Sequence, residues 1–118
     1  MITAQAKEAV ECARAARKVV LVVMVHPDEI AGARAIRDVR ERGKQIDWIY
    51  EKAKRPFFEV VGEYEPDGMK VVNSLEGSPH FVVAGPAKIW RKLLHEHASL
   101  ISGPEVEVYP NASEWTAI

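Results

Sequence analysis

The chain holds a single cysteine, Cys12, so no disulfide closes within it and no cysteine-based zinc cage forms. Its longest apolar run, residues 19–25, falls far short of the roughly 20 residues that cross a bilayer. Neither sign of charge dominates: 16 Lys and Arg against 17 Asp and Glu leave a formal net charge of -1. That balance gives no overall attraction to nucleic acid or to an anionic membrane, so neither is expected as a partner. No G-x-x-x-x-G-K-[ST] segment is present to cradle ATP phosphates, and no G-x-S-x-G elbow to raise a serine nucleophile. Residues 1–18 lack the basic-then-apolar order of a secretion signal, and a cytoplasmic protein is the expectation.

What is there is enough for one core. With 118 residues, 47% apolar and 28% charged, the chain is expected to fold as a single domain, 1–118. Residues 3–17 place small residues at helical spacing behind Thr3, a suitable N-cap. Residues 19–25, five of them valine, read as a central strand covered on both faces. Two helical segments, 27–42 and 45–54, follow, the second ended by Pro56. Residues 57–64, 69–75 and 80–84 are rich in valine and aromatics and separated by turn residues, so they read as a meander of three strands. A helix over 86–101 and a strand over 105–109 complete the order α-β-α-α-β-β-β-α-β. The expected fold is α/β, a mixed five-stranded sheet flanked by helices.

His26-Pro27-Asp28-Glu29, at the end of the valine run, carries most of the chemistry. Pro at a first helical position and acids in the first turn are what a helix entry selects, with His26 as N-cap. The strand, this turn and the later Glu-Arg-Gly also resemble the opening of the PIG-L/LmbE family of zinc-dependent N-acetylglucosaminyl deacetylases, in which an apolar strand runs into His-Pro-Asp-Asp-Glu. The resemblance, over residues 19–46, implies His26 and Glu29 as zinc ligands and Asp28 as the base that deprotonates bound water. It also requires a third ligand, for which His80, His95 and His97 are available.

Residues 26–59 resemble the lid region of uridine kinases and related P-loop kinases, through Arg34, Arg37, Asp38, Glu41, Arg42, Gly43, Pro56 and Glu59. Such a lid supplies guanidinium groups to phosphates; without a Walker lysine it implies phosphate contact and not phosphoryl transfer. A mixed-charge, solvated helix face accounts for the same residues. Gly85 and Lys88, in Ala-Gly-Pro-Ala-Lys, join a strand end to a helix start, where free N–H groups and a lysine could receive an anion. In a partly parallel sheet the ends of two strands, at His26 and Gly85, would lie side by side at a crevice. The thin alanine face of residues 3–17 and the isolated Trp115 leave room for a homodimer.

These features support two readings. One is a non-enzymatic module that binds a small anionic ligand or a protein partner through Arg34, Arg37, Gly85 and Lys88. The other is a small metal-dependent hydrolase built on His26, Asp28 and Glu29.

Overall fold

The computed structural model describes residues 1–101 and 105–110. Thr3 accepts a hydrogen bond from the Ala6 amide at 3.1 Å and opens α1, Ala4–Cys12. The valine run forms β1, Lys18–Val25. A short helix, α2, Ile30–Arg34, leads to α3, Val39–Glu63. A 3-10 turn, Glu65–Asp67, is followed by β2, Lys70–Asn73, and β3, His80–Pro86. Helices α4, Ala87–Glu96, and α5, Ala98–Ile101, precede β4, Val106–Pro110. Trp115 lies outside the described residues.

The sheet has four strands, not five, in the order β2-β3-β1-β4, and every pairing is antiparallel. Two split β-α-β units, β1-α3-β2 and β3-α4-β4, each receive a strand of the other between their own two strands, the topology called ferredoxin-like. Residues 1–3 run along the outer side of β4: Thr3 donates to the Val108 carbonyl at 2.9 Å and Val108 donates to the Met1 carbonyl at 2.9 Å. That edge is therefore closed to further pairing along this stretch.

The missing strand is residues 57–64, of which 57–63 continue α3 through Pro56 and Tyr64 caps its end. Phe57, Val61 and Tyr64 extend the buried stripe begun by Ile49, Tyr50 and Lys54, while Glu59, Gly62 and Glu63 stay exposed. Burial of that stripe outweighs both the valine and aromatic preference for strand and the helix-breaking tendency of an exposed proline. The segment expected as one helix over 27–42 is instead broken at 35–38. There the Asp38 carboxylate accepts from the Glu41 amide at 3.0 Å and starts α3 afresh, and Arg42 Nη1 donates to the Ile36 carbonyl at 3.4 Å.

One core unites the described residues. Phe57 and Phe58 meet the edge of Phe81 at centroid distances of 5.3 and 4.8 Å, and the indole N–H of fully buried Trp90 donates to the Val19 carbonyl at 2.9 Å, tying α4 to β1. Along β1, Val19, Leu21, Val23 and Val25 are buried beneath the helices, but Val20, Val22 and Met24 are only half-buried. Among the described residues, the strand expected to be covered on both faces is covered on one.

Candidate functional site

The His-Pro-Asp-Glu turn does not assemble as expected. The helix starts three positions later than a His26 cap would place it, with Glu29 at the N-cap in helical conformation and making no side-chain cap. His26 donates its amide to the Glu105 carbonyl at 2.7 Å, and its Nε2 lies 3.6 Å from the Glu107 carboxylate on β4. Glu29 turns to the other side, its carboxylate 3.6 Å from Lys52 Nζ on α3. Asp28 is exposed. Among the described residues no group of three or more His, Cys, Asp or Glu side chains is placed to hold a metal.

The anion site expected at Ala-Gly-Pro-Ala-Lys is closed. Ala87 donates to the Arg17 carbonyl at 2.8 Å and Lys88 to the Ala15 carbonyl at 3.0 Å, so the first amides of α4 are already paired. Gly85 is buried because the Met69 side chain packs where a Cβ would sit. The crevice between His26 and Gly85 does not exist: β1 and β3 are antiparallel, so Gly85 pairs with Val19 while His26 follows the other end of β1. Arg34 ends α2 and Arg37 lies in the break before α3; both are exposed, on different segments.

What the structure does gather is a face of the sheet that no helix of the described residues covers. Partners in an antiparallel register point to the same side, so Val20, Val22 and Met24 share this face with Ala84, Val82 and His80 of β3 and with Glu107 and Tyr109 of β4. The His80 and Tyr109 rings meet edge to face across β1, with centroids 6.3 Å apart. Burial, with the Glu107 charge beside it, pushes the Tyr109 hydroxyl above the usual tyrosine range. Lys70 on β2 pairs with Ala84 and Lys18 precedes Val20 by two positions, so both lysines stand at the end of this face opposite Glu107. The result is an apolar centre of half-buried Val20, Val22 and Val82 beside buried Ala84, with a basic end and an acidic corner.

This face is hidden in the sequence because a run of seven apolar residues carries no alternation to distinguish inside from outside. A signal was nonetheless present in the flanking strands, where Glu107 and Tyr109 alternate with Val106 and Val108. Among the described residues no helix is long and apolar enough to cross a membrane. Searches with the chain against protein-family models, curated proteins and solved structures find no match.

Proposed function

We propose that this chain is a non-enzymatic binding module that pairs with a second copy of itself through the uncovered face of its sheet. The observation that carries the reading is the apolar centre of that face: Val22 is flanked by Val82 on one side and Tyr109 on the other, with no helix of the described residues over them. A sheet with one solvated face normally alternates apolar inward and polar outward residues. Here β1 is apolar on both sides, which is the pattern of a strand whose second face is also covered.

The charges favour a second copy as the cover. Lys70 and Glu107 occupy diagonal corners, separated by three strand spacings across the sheet, about 14 Å, and four residues along it, about 13 Å. Because these two displacements are nearly equal, a two-fold axis along the other diagonal stacks two sheets at right angles. It sets each Lys70 against the Glu107 of the other copy. Right-angle crossing is one of the two usual ways in which sheets stack, and two-fold pairing is the commonest form of self-association. The face measures about 19 by 23 Å, at the small end for a protein interface, which points to a dimer of about micromolar dissociation constant.

Sedimentation velocity across a concentration range from about 1 to 200 µM around that constant tests this. The expected result is a concentration-dependent shift from monomer to dimer in the wild type and a monomer throughout for Val22→Lys, with unchanged far-UV circular dichroism. A wild type that remains monomeric over the range, or a Val22→Lys variant that dimerises as well as the wild type, overturns the reading.

A further inference from the structure

We infer that the cleft between α1 and α4 is a binding site for a small amphipathic anion, with a linear aliphatic monocarboxylate as its ligand class. The cleft has a volume of about 460 Å³, within the range of small-molecule sites, and lies on the helical side of the molecule, away from the uncovered sheet face. Its apolar lining includes Ile2, Val10 and Leu94. Its polar side chains are Lys7 and Glu11 on α1 and Arg91 and His95 on α4, so two fixed cations face one carboxylate.

Arg91 is the informative residue. Its Nε donates to the Val10 carbonyl at 3.0 Å and its Nη2 to the carbonyls of Glu11, at 3.2 Å, and Ala13. The guanidinium therefore closes the C-terminal end of α1, whose last carbonyls have no partner within the helix, and locks the two walls of the cleft together. All of these partners are neutral carbonyls. Among the described residues no carboxylate forms an ion pair with Arg91, Lys7 or His95. Glu11 also lines the cleft and offsets one positive charge, leaving Lys7 and Arg91 with an excess of one. A half-buried cation answered only by dipoles, at the wall of an apolar cleft, attracts a carboxylate while the floor accepts the chain attached to it. The same lining disfavours two other ligand types: a cation meets the wrong charge, and a neutral hydrocarbon leaves the rim unused.

The test is an amide chemical-shift titration of the full chain with octanoate, and in parallel with octanol. Octanoate is expected to give saturable shifts confined to α1, α4 and α5, and octanol to bind at least about tenfold more weakly. Lys7→Glu, an exposed substitution that leaves the Arg91 lock intact, is expected to weaken octanoate about tenfold, and Glu11→Gln to tighten it. Absence of saturation with octanoate, equal binding of octanol, or shifts centred on the sheet face instead of the helices would each overturn the inference.

Discussion

Lys54 Nζ stands 2.9 Å from the carbonyl oxygen of Ser74, and the same amine donates to the Leu75 carbonyl at 3.1 Å. Lys54 is the buried charged residue of the described core, at 3% exposure, and it reaches from the middle of α3 to the turn between β2 and β3. The Leu75 backbone there is left-handed, with φ 44°, and its amide is held by Asn73 Oδ1 at 3.1 Å. The lysine is a clamp on a turn whose conformation is otherwise unfavourable for leucine.

Burial lowers the Lys54 ammonium from the usual lysine range, with Glu76 partly opposing the shift. Since a base with a lowered folded-state pKa binds its proton less readily folded than unfolded, stability rises with pH between the lowered value and the ordinary one. A neutral amine still has two N–H groups for the two carbonyls. Lys54→Met is expected to cost about 1–2 kcal/mol at neutral pH. In urea titrations the gap between wild type and variant is expected to widen as pH rises into the lysine range. A gap independent of pH would remove Lys54 as the titrating clamp.

At Gly85, a Cβ would run into the Met69 side chain and come within 3.3 Å of its Cα. Gly85→Ala is expected to destabilise the fold by about 1–3 kcal/mol, read from thermal melts. In the Met69→Ala background the same change is expected to cost clearly less, because the two substitutions share one contact. Equal costs in the two backgrounds would mean that Gly85 is needed for something other than space.

The right-angle arrangement of the proposed dimer makes its own demand on Lys70 and Glu107. Either Lys70→Glu or Glu107→Lys alone brings like charges together twice, once on each side of the axis, and is expected to weaken dimerisation about tenfold. The double exchange is expected to return the dissociation constant to within about threefold of wild type. If Val22→Lys abolishes the dimer but neither single exchange weakens it, the face is the interface and the crossing angle is wrong. Glu107→Lys also removes the contact with His26, at 3.6 Å between half-exposed groups, a pair of the kind that contributes at most about 1 kcal/mol.

Strands were legible where the chain punctuates them. β3 begins after Pro79 and β2 sits between the Gly68 and Gly77 turns, so both were visible from turn chemistry. Residues 57–64 were not, because Phe57, Phe58, Val60 and Val61 favour a strand locally and Pro56 mimics an end. Only the stripe of Phe57, Val61 and Tyr64, continuous with Tyr50, reveals the helix. Once that strand is lost the sheet becomes wholly antiparallel, and the crevice that depended on parallel neighbours goes with it. Lys54 was hidden in plain view, a charged residue on that apolar stripe whose carbonyl partners lie twenty residues along the chain. The chemistry suggested by His26, Asp28 and Glu29 failed to converge for a reason no local pattern carries, namely that β4 supplies a neighbour to His26 and α3 a different one to Glu29.

The position of β1 also shapes how the molecule comes into being. Val20 pairs with Ala84 and Val22 with Tyr109, so the central strand leaves the ribosome long before either neighbour exists. During that interval its five valines form an unpaired, uncharged, strand-favouring stretch, the type of segment that nucleates aggregates. The charged segment a few residues further on, Arg34 to Lys44, is then a solubilising neighbour for the nascent chain, whatever else its arginines do.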